Sequence, residues 1–256
     1  MLNISLKDKI SSKKQIREKG FAVIRSCIPL DFLKEIESEV LKFSWTNIGK
    51  AEVNLIHTQE RSILSSVHNL ASDLEIFNSL YKNIAFLDFY RFILDTNANK
   101  KEKINSSYFF KAKESKEIKL HQDNAYFNLL SGTDCLTFYI PMHKQNKKSG
   151  TIFYYAGSHK LGSLKHLPKG NLGASMCLDK NLELRKLRDY DIEYINLLPG
   201  DIVIHNAYVV HGTLPNPNNV LCEAFNFTLF SESNKRDSLK YKQYRDLLKN
   251  YLDNMS

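Results

Sequence analysis

From Ser107 to about Phe230 the apolar residues come in short runs broken by Gly, Pro, Asn, Asp and Ser, and this texture constrains the fold more than any other feature. Short runs rich in β-branched and aromatic residues read as strands, whereas helices need ten or more residues at a period of 3.6. Eight strands are predicted, over 107–113, 117–121, 134–140, 151–155, 192–197, 201–205, 207–211 and 220–230. That number of short, punctuated strands matches a double-sheet jelly roll, mainly β with helices packed outside and a ligand held in its mouth. Residues 157–190 contain Gly, Pro and several basic side chains; the stretch is too long for a plain turn and reads as a lid or binding loop.

Outside this block the periodicity is helical. Residues 7–19 predict a short amphipathic helix, and the compact run Gly20 to Arg25 a strand. Pro29 and Asp31 open a helix carrying Phe32, Leu33, Ile36, Val40 and Phe43 at helical spacing. Residues 44–67 give a weak pattern, with Trp45 as a candidate core residue; His57 and His68 nearby read as surface or core histidines. Residues 71–94 predict one or two packed helices, 95–103 a polar loop, and 235–252 a terminal helix. No repeat or domain boundary is visible. The expectation is a single domain over 1–256: a helical region to about 105, a β core over about 106–231, and the terminal helix.

Composition narrows the function classes. Hydrophobic residues at 43% and charged residues at 25% are those of an ordinary globular protein. The longest apolar runs are far too short to span a bilayer, and the first residues lack an apolar core of signal length, so a cytoplasmic location is expected with no membrane partner. The net charge of +8 comes from basic residues dispersed beside acids, with no basic stripe interleaved with aromatics, which argues against nucleic acid. Cys27, Cys135, Cys177 and Cys222 are scattered without a Cys-x-x-Cys pair and read as small buried hydrophobes in a reducing compartment. The basic residues His159, Lys160, Lys165, His166 and Lys169 fit either a solvated loop or contact with an anionic small-molecule substrate; the loop is the preferred reading. The oligomeric state is not legible.

The chemistry-bearing pattern is His121-Gln122-Asp123 with a distant His211. Two imidazoles and one carboxylate can hold Fe(II) on one octahedral face and leave the other positions open. On a strand, residues two apart point the same way, which would bring His121 and Asp123 together. The bare tripeptide is a weak signal, since His-x-Asp is common by chance. Four blocks in order are more specific: His121 to Phe127, Ser149-Gly150-Thr151 through Lys160, Pro199-Gly200-Asp201 through His205, and His211-Gly212-Thr213. Together, over about residues 15–230, they resemble the phytanoyl-CoA dioxygenase (PhyH-like) family of Fe(II)/2-oxoglutarate oxygenases.

That resemblance implies a double-stranded β-helix (jelly roll, cupin-like) and His121, Asp123 and His211 as catalytic metal ligands. It implies 2-oxoglutarate and O2 as cosubstrates, decarboxylation to succinate, and hydroxylation of an unactivated C–H bond of a small molecule. Related halogenases carry a small residue where this chain has Asp123, which favours hydroxylation; desaturation and ring closure would use the same ligands. It also implies Tyr139 and Thr151 as cosubstrate contacts, Asn124 and Tyr126 as substrate neighbours, and His159 as a structural residue. Family members place an arginine after the distal histidine for the cosubstrate's C5 carboxylate, and here that position is Cys222. A thiol cannot form a bidentate pair with a carboxylate. Lys111, one strand before His121, is the proposed substitute; the alternative is a ligand-binding jelly roll or iron enzyme without 2-oxoglutarate use. His205 lacks a carboxylate at His-x-Asp spacing and is left out of the ligand set.

Overall fold

In a computed structural model, the described residues are 3–50, 52–57, 62–81, 83–95, 102–111, 117–171, 174–217, 221–231 and 234–253, with side chains of some strand and helix ends left aside. Helix α1 (Leu6–Lys19) starts at a capping box, in which the Ser5 side chain accepts from the Asp8 N–H and Asp8 accepts from the Ser5 N–H. It ends at Gly20, whose φ of 85° is the left-handed cap that glycine adopts without strain. A side chain there would also strike the His159 ring, 2.7 Å away.

Strand β1 (Phe21–Ile24) leads into α2 (Leu30–Thr46), as the sequence predicts. Trp45 is 59% exposed, however, and is not a core residue. Leu33, Ile36, Val40 and Ser44 form the buried stripe of α2, and Trp45 falls one step, about 100°, around the helix from it. The weakly patterned stretch that follows holds β2 (Val53–His57) and β3 (Ser62–His68), so the region before residue 105 is not purely helical. Three short helices come next, α3 (Leu70–Asp73), α4 (Glu75–Tyr81) and α5 (Ile84–Leu94), then β4 (Glu102–Lys111) and β5 (Ile118–His121).

The rest comprises α6 (Asn124–Phe127), β6 (Cys135–Pro141), β7 (Ile152–Tyr155), β8 (His166–Asn171), β9 (Ala174–Leu178), α7 (Lys180–Glu183), β10 (Ile192–Tyr194), β11 (Ile202–Asn206), β12 (His211–Thr213), β13 (Cys222–Ser231) and α8 (Ser238–Asp253). The strand expected over 207–211 is instead a turn: Ala207, Val209 and Val210 are buried, but β12 begins only at His211. The expected lid over 157–190 contains the β8–β9 hairpin and α7; Lys165 reaches Asp179 within that segment, 3.9 Å away.

The strands form a seven-stranded sheet, β1-β11-β6-β13-β4-β3-β2, and a four-stranded sheet, β10-β7-β12-β5. All recorded pairings are antiparallel. Alternation divides the large sheet. Tyr108, Phe110, Phe138, Ile204, Phe225 and Phe227 lie on the outer face, packed with helix residues Ile36, Leu70, Phe77 and Phe86. On the inner face Tyr139, Val203 and Ala224 pack against Ile152 and Tyr154 of the small sheet. This is the jelly-roll sandwich with external helices that the strand pattern predicts.

The outer core is aromatic. Phe138 stacks on Phe227 with centroids 4.6 Å apart and meets Phe86 edge-on. Behind the cavity wall, His143 stands 3.6 Å from Glu223 and 3.9 Å from Glu37, and Glu223 accepts the Tyr108 hydroxyl at 2.7 Å. The nearby Glu223 carboxylate outweighs partial burial and raises the His143 pKa.

Two stability predictions follow from this packing. Phe138→Ala should lose about 3–5 kcal/mol in denaturant unfolding, the usual range for removing a buried Phe. The raised folded-state pKa of His143 gives a stabilising term that is complete below its unfolded pKa and lost as pH rises through the folded value. His143→Gln should therefore destabilise by about 0.5–1 kcal/mol near pH 5.5 and by little near pH 9. Equal losses at both pH values would assign His143 a packing role only.

Candidate metal centre and its cavity

Three side chains from separate places on the inner walls converge. His121 closes β5 and His211 opens β12, and they face each other as direct partners in the antiparallel ladder. Gly212 makes this pairing possible, because a Cβ there would lie 2.8 Å from the Ile118 carbonyl on β5. Asp123 does not sit on a strand. It occupies the turn entering α6, with φ −60° and ψ −32°, so strand alternation is not what aligns it with His121.

The donor atoms are ready for one ion. The ligand atoms of His121, Asp123 and His211 all lie within 4.8 Å of one another. Asp123 Oδ1 is 3.6 Å from His121 Nε2 and 3.5 Å from His211 Nε2. Each histidine has its Nδ1 beside a backbone carbonyl, Lys119 at 2.8 Å and Val209 at 3.1 Å. An Nδ1–H donated to each carbonyl leaves the Nε2 lone pairs directed at Asp123 Oδ1. Burial lowers both imidazole pKa values, favouring the neutral, ligating form. Burial opposes ionisation of Asp123, but His211, His205 and His121 outweigh it and hold the carboxyl well below the usual range.

The second oxygen of Asp123 is held by protein groups. Oδ2 accepts from Thr137 Oγ1 at 2.6 Å and from His205 Nε2 at 3.0 Å. With its Nε2–H so placed, His205 Nδ1 accepts from the Tyr154 hydroxyl at 2.9 Å. Thus His205 is not in the triad, yet it holds Oδ2 and leaves Oδ1 as the oxygen that would face an ion. The backbone between the ligands is clamped as well. Gln122 Nε2 donates to the carbonyls of Gly162 and Tyr208, its Oε1 accepts from the Leu164 N–H, and its own N–H donates to His166 Nε2. Burial pushes the His166 pKa down to about 4, keeping that nitrogen an acceptor.

The triad opens into a cavity of about 370 Å³ between the two sheets. Tyr126 and Tyr139 line it, but their hydroxyls donate to the Met176 carbonyl and to Gln145 Oε1. Thr151 lies outside the lining, its hydroxyl on the Ile195 carbonyl, and Asn124 is tied to the backbone of Leu129. Cys222 does line the cavity. Lys111 is its direct partner across β4 and β13, but the Lys111 side chain lies outside the described residues. His159, Lys160, Lys165 and His166 are not part of the described lining, and the Lys169 side chain is outside the described residues. His68, read as an ordinary surface or core histidine, lines the cavity instead.

Residues 16–220 match the family described as phytanoyl-CoA dioxygenase (PhyH), about four-fifths of the chain. The chain belongs to that family. The PhyH family is Fe(II)-, 2-oxoglutarate- and O2-dependent. Solved structures with the same fold include EctD from S. alaskensis with 2-oxoglutarate and 5-hydroxyectoine, at 14% identity and TM-score 0.72, covering 91% of this chain and 78% of that one. AviO1 from Streptomyces viridochromogenes Tue57 aligns at 17% identity and TM-score 0.66, covering 92% and 99%. The epimerase SnoN from nogalamycin biosynthesis aligns at 14% and 0.66, covering 88% and 84%. No curated protein matches. No described helix of this PhyH protein is long and apolar enough to cross a membrane.

His205→Phe removes one donor from Asp123 Oδ2 and leaves the three triad residues intact. Fe(II) affinity in an anaerobic titration should fall about 10- to 100-fold, the usual effect of losing a group that orients a metal ligand. Unchanged affinity in a folded variant would make His205 a packing residue alone.

Proposed function

We propose that this PhyH-family protein hydroxylates an unactivated C–H bond of a small molecule, with His121, Asp123 and His211 as the Fe(II) ligands. The supporting observation is the convergence of two Nε2 atoms and one carboxylate oxygen at the wall of the cavity between the two sheets. Fe(II), bound with 2-oxoglutarate and O2, supplies the oxidising chemistry, in which the cosubstrate becomes succinate and carbon dioxide and one oxygen atom enters the substrate. The chain's own groups do the rest. His121 and His211 present neutral imidazoles, and Asp123 presents one oxygen because Thr137 and His205 hold the other. The apolar part of the wall, Ile118, Ile152, Phe109 and Ala224 among them, would flank the reacting C–H bond and limit its contact with water.

Cosubstrate binding needs a cation for the C5 carboxylate, and among the described residues no Lys or Arg lines the cavity. Lys111 is our assignment. Its register position opposite Cys222, two residues beyond the cavity-lining Phe109, supports it. The absence of an arginine at Cys222 favours a second reading, an iron protein or ligand-binding jelly roll that does not use 2-oxoglutarate.

Anaerobic addition of Fe(II) and then 2-oxoglutarate separates the two. The visible charge-transfer band of the chelate is expected; iron binding without the band would leave the second reading. In Lys111→Ala the 2-oxoglutarate concentration needed for that band should rise about 10- to 100-fold, as expected for losing a hydrogen bond to a charged group. Fe(II) affinity should stay the same. An unchanged cosubstrate requirement would remove Lys111 from the site.

A further inference from the structure

Beside the triad, the cavity carries a polar strip that metal binding does not use, formed by His68 on β3, Ser107 on β4 and Asn226 on β13. His68 and Ser107 are partners in one ladder, Ser107 and Asn226 in the next. Hydrogen-bond bookkeeping sets the direction of this strip. Ser66, fully buried on β3, accepts from Asn54 Nδ2 at 3.0 Å. Its own hydrogen needs an acceptor, since a buried unpaired hydroxyl is strongly unfavourable. Among the described residues, the side-chain acceptor within hydrogen-bond reach is His68 Nε2, at 3.0 Å.

That bond fixes the tautomer. With Nε2 accepting, the His68 proton sits on Nδ1 and is donated to Ser107 Oγ at 2.7 Å. Burial lowers the His68 pKa and keeps the ring neutral, so one nitrogen remains an acceptor. Ser107 Oγ, having accepted, has its own hydrogen left for the cavity that it lines. Across the ladder, Asn226 Oδ1 is buried with no hydrogen-bond partner. Ser107 therefore has a donor at the cavity, and Asn226, which also lines it, carries an acceptor with no protein partner. Asp123 is the sole Asp, Glu, Lys or Arg among the described lining residues.

We propose that Ser107 and Asn226 form a substrate subsite for an uncharged group that accepts and donates a hydrogen bond, a hydroxyl or a primary carboxamide, with His68 as the positioning residue that aims the Ser107 hydroxyl. This rests on the oxygenase reading above. The cavity, at about 370 Å³, is small, and the cosubstrate shares it. The substrate class is thus a small neutral polyol or amide; His159, Lys160, Lys165 and His166 lie outside the described lining.

The test uses the full chain loaded with Fe(II) and 2-oxoglutarate, first under argon to record the chelate band, then in air. Small polyols and carboxamides are compared with carboxylates and amines of similar size, reading succinate formed above the substrate-free rate. Neutral hydroxyl or amide compounds are expected to stimulate turnover. Ser107→Ala and Asn226→Ala should each raise the KM of such a compound about tenfold while leaving the 2-oxoglutarate titration of the band unchanged. His68→Phe should do the same, and His68→Asn, whose amide N–H replaces that of Nδ1, should recover most of the loss. Stimulation confined to charged compounds, no stimulation at all, or an unchanged KM in both the Ser107 and Asn226 variants overturns the subsite. A wild-type protein that forms no chelate band overturns the oxygenase reading and the subsite together.

Discussion

The site depends on burying one negative charge. Asp123 is surrounded by His121, His205 and His211 in the wall between two sheets, where an ion's desolvation is costly unless each oxygen has partners. The fold meets this requirement asymmetrically. Oδ2 takes two hydrogen bonds from the large sheet, and Oδ1 is left facing two imidazole lone pairs. A cation at that point would complete the compensation, so the same arrangement that buries the charge suits a metal ion. The rest of the inner wall follows from it: Thr137 is also paired to Thr228, and His205 to Tyr154, so the supports of Asp123 are themselves fixed.

What was legible in the chain was set by how far each signal reaches along it. Runs of apolar residues and turn signals placed β5, β6, β7 and β11 within a residue or two, and the four motif blocks singled out His121, Asp123 and His211, whose ligand atoms the fold brings within 4.8 Å of one another. Residues whose importance comes from sheet register were not legible. His205 and Asp123 lie 82 positions apart and meet only because β11 pairs with β6 beside the turn that carries Asp123. His68 enters the cavity because β3 extends the large sheet past β4, and β3 itself was hidden by the serines that break its apolar pattern. Polar side chains near the motif misled for the opposite reason. Thr151 and Asn124 are close to the site in sequence, but their hydrogen bonds go to nearby backbone.

On the proposed reading, the charge pattern along β13 and β4 separates two recognition tasks. At one end, Cys222 and Lys111 are register partners on β13 and β4, where the proposed cosubstrate site would need its cation. Farther along the same pair of strands, Asn226 faces Ser107 and the described wall is polar without charge. An antiparallel ladder thus sets the spacing between the two tasks through its rise per residue.

The ladder partnership of His121 and His211 has a mechanical side. β5 is the last strand in the hydrogen-bonded order of the small sheet, joined to it through the short β12. An ion held by both histidines would act as a rivet across that final rung, pinning the edge strand to its sheet. Bound iron would then do more than equip the site: it would help keep the small sheet's last strand in register with its neighbour.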